Sequence, residues 1–467
     1  MVRTGGAERR RQGAVMSNAT PMMKLGLFFE GIGHHVAAWR DPDTDAHAKL
    51  DLAHYVEIAR TAERGKFDLL FTADTNATFG SDDVEAWIRQ SATSRLEPLT
   101  LLGALAAVTE RIGLVATMTT TYYEPFTIAR FFASLDQISK GRAGWNLVTS
   151  LAAAEALNFS HDTHVSHADR YARAREFAQV VLGLWDSWED GAVVGDKENG
   201  IYFDAAKMHF LNHKGKHFKV RGPLMIQRSP QGHPVIVEAG QSEDGRDLAA
   251  ETAEVIFTVQ QDFEQARAFR ADIRARAAAY GRSPDAVKIL PGVMVVVGDT
   301  RAEAEAKYER LQSLIHPDFG VKQLSTYFGR DLSQFPLDGP VPEPNYANAE
   351  RGRLQMMYEL AQREKLTIRQ LYKRVIGQRA HRTVCDTATG IADTLEHWFT
   401  GGACDGFNIL PVTLPHALND FVDRVIPELQ RRGLFRKEYE GRTLRENLGL
   451  PFPENRYAQA RKASAAE

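Results

Sequence analysis

Short apolar runs alternate with longer segments of helical period along most of the chain. Lys24–Phe29 (KLGLFF) reads as a strand, and Gly31-Ile32-Gly33 turns the chain after it. Lys49–Arg64 then carries a helix that Gly65 stops, and Phe67–Thr72 is a second strand with Asp74 just beyond its end. After an excursion over Ser81–Arg95, Pro98 opens a helix bearing Leu101, Leu102 and Leu105. Strands at Ile112–Met118 and Ala143–Val148 flank a helix over Thr127–Ser139, which Gly141 closes. Ala168–Trp188 sets Phe177, Val180, Val181, Leu184 and Trp185 on one helical face. Strands at Val235–Glu238, Val255–Val259, Ile289–Val297 and Gly406–Val412 follow. They alternate with helices at Phe263–Tyr280, Ala302–Leu314, near Ile391–Thr400 and at Ala417–Arg432. Pro291 and Gly292 predict that the seventh strand is irregular.

Two stretches break this rhythm. Gly191–Gly232 lacks helical period and reads as an insertion with a hairpin near His209–Val220. His316–Ala380 begins with an irregular part rich in proline (Pro317, Pro336, Pro340, Pro342, Pro344) and continues as helices at Ala349–Glu364 and Thr367–Gly377. A long insertion of this kind predicts a lid. Eight strands alternating with helices predict a parallel sheet. No G-x-G-x-x-G follows the first strand, which argues against a Rossmann nucleotide site. The expected fold is therefore α/β: a TIM (β/α)8 barrel with insertions at about 191–232 and 316–380, the latter helical and lid-like. One domain spans residues 23–450. The segment after Lys437 is expected to wrap a neighbouring surface or a second subunit, and 451–467 is a C-terminal tail.

Composition narrows the function only by exclusion. Hydrophobic residues make up 43% of the 467-residue chain and charged residues 25%, as in an ordinary soluble protein. The net charge of -3 gives no electrostatic case for nucleic acid or an anionic membrane as partner. No apolar run approaches the ~18 residues that span a bilayer. The two cysteines, Cys385 and Cys404, form no C-x-x-C pair, and a reducing cytoplasm is the expected location. Residues 1–22 are polar and Arg-rich, with no apolar central segment for a secretory signal; a transit peptide, a disordered tail or a natural start at Met16 remain as readings.

Candidate chemistry gathers at strand ends and helix starts, where an α/β barrel keeps it. Ser166-His167-Ala168-Asp169-Arg170-Tyr171 puts His167 and Tyr171 on one helical face at a helix start. Free N–H groups and the helix dipole attract phosphate there, although a plain N-cap explains the same residues. Gly240-Gln241-Ser242 is a second such start, where Ser242 either caps the helix or binds phosphate. Asp74 is placed to meet a heterocycle or to form a turn. Thr117 offers a hydroxyl if it points into the barrel, and is a strand filler otherwise. Phe28, Phe71 and Phe257 sit near strand ends, with His34 and His35 in the first loop and His316 far along the chain. Apolar walls with one or two imidazoles suit an apolar or aromatic substrate. There is no H-E-x-x-H, no Cys/His cluster and no G-x-S-x-G, and His161, His164 and His167 lack an acidic partner of obvious spacing, so no metal site is expected.

Several ordered runs then carry a resemblance. Gly65–Phe71 (GKFDLLF), Ala116–Arg130 (ATMTTTYYEPFTIAR), Ser134–Ser150 (SLDQISKGRAGWNLVTS), Asn158-Phe159, His167–Tyr171, Gly222–Gly232 (GPLMIQRSPQG), Glu238–Ser242 (EAGQS) and Asp405–Leu410 (DGFNIL) resemble the nitrilotriacetate / dibenzothiophene-sulfone monooxygenase branch of the bacterial-luciferase-like flavin monooxygenases. The likeness runs from about Lys24 to about Leu450. It implies a TIM barrel that takes reduced FMN (FMNH2) from a separate NAD(P)H-dependent FMN reductase and uses O2 to oxygenate a small molecule, commonly as a homo-oligomer. It implies flavin contacts at Asp74 and Thr117 near the ring, at His167, Tyr171 and Ser242 near the phosphate, and at Asn146. It implies a catalytic, substrate-side set of His34, Phe71, Phe257 and His316. A polycarboxylate substrate would need several convergent Arg or Lys residues, and the first loop offers Arg40 alone. The expected substrate is therefore an apolar aromatic, sulfone, heterocyclic or halogenated compound, losing a C–S, C–N or C–halogen bond. A deazaflavin-dependent hydride-transfer enzyme and a non-catalytic flavin-binding subunit are the alternatives.

Overall fold

A computed structural model of the chain describes residues 22–78, 88, 89, 91, 94–150, 152–344 and 351–465, with backbone only at 351–353 and 356. The expected N-terminal tail up to residue 21 and most of the Ser81–Arg95 excursion lie outside the described residues.

The strands are β1 (Lys24–Phe28), β2 (Leu69–Thr72), β3 (Gly113–Thr119) and β4 (Ala143–Val148). Two hairpins follow in the first insertion: β5 (Val193–Asp196) with β6 (Ile201–Phe203), and β7 (His213–Lys214) with β8 (Lys219–Val220). The remaining strands are β9 (Val235–Glu238), β10 (Val255–Thr258), β11 (Lys288–Val297), β12 (Arg382–Asp386) and β13 (Gly406–Pro411). The parallel order β10-β9-β4-β3-β2-β1-β13-β11 closes on itself through β10–β11, which makes the expected eight-stranded barrel. The first half of β11 pairs with β10 up to Pro291, and its second half pairs with β12 from Val293. The strand runs unbroken through Pro291 and Gly292, so the expected irregularity is instead a change of partner. β12 is a ninth strand absent from the sequence expectation. Its sequence, RTVCD, buries only Val384, so it carries no apolar run.

Helices surround the sheet. They are α1 (Leu52–Arg64), α2 (Pro98–Ala106), α3 (Pro125–Ser139), α4 (His167–Trp185), α5 (Glu243–Thr252), α6 (Phe263–Ala279) and α7 (Arg301–Ser313). The late insertion holds α8 (Pro317–Phe328), α9 (Arg351–Glu364) and α10 (Ile368–Gly377). The proline-rich start was expected to be irregular. Pro317 instead occupies the first turn of α8, where its missing N–H costs no helical bond. These three helices share their own core of Phe319, Leu324, Phe328, Leu354, Leu371 and Tyr372. Beyond them lie α11 (Ala388–Thr400), α12 (His416–Asp420), α13 (Ile426–Arg431), α14 (Leu444–Leu448) and α15 (Arg456–Ser464).

Side chains alternate along each strand, and the outward set packs against the helices. The inward set, with Phe28, Phe71, Val115, Val237, Leu290 and Leu410, fills the barrel. At the N-terminal end of the strands, Leu444 and Leu448 of α14 join that inner core. The segment after Lys437 thus wraps its own barrel. No described helix is long and apolar enough to cross a membrane.

Candidate active site

Two clusters of side chains occupy the C-terminal rim of the barrel. The first is a cleft of about 690 Å³ between the ends of β2, β3, β4 and β9. Asp74, Thr117, His167, Tyr171 and Ser242 all line it, so five of the six residues expected to touch flavin share one cavity.

One end of the cleft is built from two helix starts. Ser166 caps α4 by accepting from Asp169 N, and Ser242 caps α5 by accepting from Gly245 N at 3.1 Å. Tyr171 Oη lies 3.4 Å from Ser242 Oγ, which joins the two starts across the cavity. The His167 ring lies tilted against Tyr171, with centroids 4.8 Å apart, and its Nδ1 is 3.2 Å from Asp244 Oδ2. Arg170, one helical turn along, also lines the cleft. It is buried, and its Nε has no hydrogen-bond partner. Gly245 completes the cradle: a Cβ there would sit 3.1 Å from both the Ser242 and the Tyr171 hydroxyl oxygens. Donors from side chains, two positive helix ends and a bare backbone suit a phosphate.

The other end lies deeper in the barrel. Thr117 follows Val115 on the inward face of β3, and Asn146 is its partner on β4. The Thr117 hydroxyl donates to Thr72 O at 2.7 Å and accepts from Asn146 Nδ2 at 2.8 Å. Thr117 is thus occupied in holding Asn146. Asn146 Oδ1 is buried without a partner, an acceptor left open for the N–H of a heterocycle. Asp74 stands at the same edge, its carboxyl pushed up to about 6 chiefly by burial. Glu238, at the end of β9, is pushed up to about 8 by burial although it accepts from Thr252 Oγ1. Glu155 accepts from Ser150 Oγ at 2.9 Å and Asn76 Nδ2 at 3.0 Å on the cleft wall. Residues 150 and 155 escaped sequence reasoning because they lie in a turn and a short 3-10 helix (Ala153–Phe159) after β4. The left-handed φ of 46° at Ser150 has no sequence signature.

The second cluster is aromatic. Phe28, Phe71 and Phe257 meet with centroids 5.0–5.5 Å apart. His34 stands edge-on to Phe28 at 4.9 Å, and His381 stacks on Phe257 at 5.3 Å. Three of the four residues expected on the substrate side are therefore together. His316 is not among them; it caps α8, its Nδ1 accepting from Asp318 N at 3.2 Å. His381 takes the second imidazole position instead. It was hidden because β12, which it precedes, was hidden. Gly292 makes room for it: a Cβ there would come within 2.5 Å of His381 Nδ1. Burial, and next the charge of Arg379, push His381 down to about 4 and hold His34 well below the usual imidazole range. Both are therefore held in the neutral form near pH 7; His34 has no hydrogen-bond partner at either ring nitrogen, whereas His381 is tied to the Gly292 backbone. Among the described residues no group of His, Cys, Asp or Glu could hold a metal ion.

Arg40 reaches away to Leu314 O, but Lys49, Arg95 and Arg379 gather around Glu30, just past β1.

The sequence model of the luciferase-like monooxygenases matches residues 33–401. The chain is 54% identical to nitrilotriacetate monooxygenase component A of Aminobacter aminovorans, over 94% of this chain and 99% of that one. It is 51% identical to N-acetyl-S-(2-succino)cysteine monooxygenase of Bacillus subtilis (strain 168), over 95% and 100%. It is 42% identical to dibenzothiophene-sulfone monooxygenase of Rhodococcus erythropolis (strain XP), over 94% and 99%.

Proposed function

The chain belongs to the luciferase-like monooxygenase family, and from that premise we propose that it is the oxygenase component of a two-component system, fed with reduced FMN by a separate NAD(P)H-dependent flavin reductase. Bound reduced flavin would supply two electrons to O2, with one oxygen atom entering the substrate and the other leaving as water. The observation that carries the cofactor assignment is the cleft itself, with two helix starts, Arg170, Tyr171 and Ser242 around one end and Asp74 and Thr117 at the other. Arg170, His167, Tyr171 and Ser242 bind the phosphate. Asn146, steadied by Thr117, and Asp74 orient the ring. Phe28, Phe71 and Phe257 exclude water next to it, and neutral His34 donates a hydrogen bond to the oxygen being transferred. The helical insertion α8–α10, which packs on Val36 and Ala37 of the first loop, is read as a lid over this mouth.

Names among the relatives cover an amino-polycarboxylate, a thioether and an aromatic sulfone, each with carbon bonded to nitrogen or sulfur. We read the substrate as a small organic molecule oxidised beside such a heteroatom, so that a C–N or C–S bond then breaks. The test mixes the chain with photoreduced FMN and candidate substrates without oxygen, then admits 18O2. The carbonyl fragment is reduced with borohydride as it forms, before its oxygen exchanges with water, and one labelled oxygen atom in it is expected. Unlabelled product, or hydride transfer from reduced deazaflavin without O2, overturns the reading.

A further inference from the structure

Asn158-Phe159 and the carboxylate shortly before it have no part in the cofactor assignment, yet they tie the walls of the cleft together. They belong to the short 3-10 helix Ala153–Phe159, which also carries Glu155. Glu155 lines the cleft and is only 4% exposed. Its Oε2 accepts from Ser150 Oγ at 2.9 Å, from Asn76 Nδ2 at 3.0 Å and from Asn76 N at 3.4 Å. Ser150, with its left-handed φ of 46°, also reaches Thr119 Oγ1 at 2.8 Å.

Asn76 is held from its other sides as well. Tyr123 Oη donates to its Oδ1 at 3.1 Å, and Asn158 Nδ2 donates to its carbonyl at 2.7 Å. Phe159 stacks on Tyr122, with centroids 5.0 Å apart. One carboxylate therefore joins the segments that leave β2, β3 and β4, and each of them contributes to the cleft wall. Asp74 lies on the first segment, two residues before Asn76. A buried acceptor that serves several donors orients all of them, because its loss leaves each donor unpaired.

The charge of Glu155 also reaches Asp74. Burial chiefly pushes the Asp74 carboxyl up to about 6, and Glu155 adds to that push. The other charged or titratable groups around the pair are Arg95 and Glu97 before α2, Tyr122 and Tyr123 after β3, and His164 and Arg170 about the start of α4.

We propose that Glu155 is the positioning residue for the ring end of the cleft: through Asn76 it fixes the segment that carries Asp74, so that Asp74 meets the flavin ring in one orientation. This rests on the flavin reading of the cleft for what Asp74 meets. The phosphate end is built from other residues, on α4 and α5, and does not depend on this tie.

Binding of oxidised FMN and of riboflavin to the full chain tests it without turnover, by flavin fluorescence across the pH range in which Asp74 titrates. Glu155→Ala is expected to weaken both flavins about tenfold and to keep their ratio, since the phosphate cradle is untouched. Glu155→Gln keeps an acceptor oxygen for Ser150 and Asn76 and recovers most of that affinity near neutral pH. It also removes a negative charge beside Asp74, so the pH step that Asp74→Asn abolishes moves to lower pH. A purely structural tie would leave that step where it is. Asn76→Ala cuts the same tie from its far end, gives the same equal loss, and stands in if Glu155→Ala fails to fold. Variants that bind both flavins as the wild type does, a loss confined to FMN, or a pH step that is absent or unmoved in Glu155→Gln each overturn the proposal alone. A wild-type chain that binds neither flavin overturns the flavin reading itself, and this proposal with it.

Discussion

At Asp74 a single protonation would change what the proposed flavin site offers. Burial pushes its carboxyl up to about 6. Above that pH the group is a pure acceptor, and below it the group is a donor as well. A raised acid pKa means that the folded state favours the neutral form. The cost of burying the charge is absent below the unfolded value of about 3.9, grows as pH rises from there, and is complete above about 6. If the ionised form accepts from the flavin ring, FMN affinity falls as pH drops from 7 to 5. The phosphate also titrates near pH 6, so the difference between wild type and Asp74→Asn is the measurement. The variant is expected to bind FMN more weakly at pH 7 and to lose the part of the pH dependence that belongs to the carboxyl. Equal pH profiles by flavin fluorescence would remove Asp74 from the ring site. Asp74 was legible because it follows a strand end. The division of labour between Thr117 and Asn146 was not. Both are small polar residues on inward faces, and only the register of β3 against β4 shows which one is occupied and which is open.

The two helix starts of the proposed phosphate cradle were legible because capping is local: a serine is followed three residues later by the N–H it accepts from. What brings the two starts together is not local. The α4 and α5 N-termini follow β4 and β9, neighbours in the sheet but almost ninety residues apart in sequence. Gly245 is the residue that this meeting requires and that no capping rule would single out. In Gly245→Ala the new Cβ would lie 3.1 Å from both hydroxyl oxygens and 3.0 Å from Gly240 Cα. Alanine is otherwise the better helix former by up to ~1 kcal/mol, which offsets part of that crowding. The expected result is a fall of about tenfold in FMN affinity relative to riboflavin, which lacks the phosphate, because about 1.4 kcal/mol of phosphate contact is lost. A ratio that stays constant would move the phosphate elsewhere. By contrast, β12 and α8 were missed for element-level reasons: one is a strand with a single buried side chain, the other a helix announced by proline.

Across the whole molecule the barrel separates its chemistry from its stability. The C-terminal rim carries the cleft, the imidazoles and the cations, while the opposite end is closed by the chain's own C-terminal segment. Arg436 there donates to Asp68, which in turn accepts from Leu25 N at the start of β1. Arg445 donates to Glu254 and to the backbone carbonyls of Gln231 and His233. Between these two arginines Leu444 is fully buried against Gly113 and Gly144, two inward positions whose missing Cβ leaves the space it fills. Alternation predicted the barrel, but nothing in the spacing of Leu444, Leu448 and Leu450 says that they close it, since partners such as Gly113 lie far earlier in the chain. Leu444→Ala removes most of one buried side chain where strand backbones cannot collapse inward, so a loss of about 2–5 kcal/mol is expected. Denaturant unfolding measures it, provided a single transition justifies the two-state treatment. Because the plug lies at the far end of the barrel, the flavin affinity of the folded fraction should stay within about 0.5 kcal/mol of wild type, the limit for distant independent sites. A variant that keeps its stability would show that α14 lies on the barrel without supporting it. One that loses flavin at full folding would show instead that the two ends are coupled through the inner core.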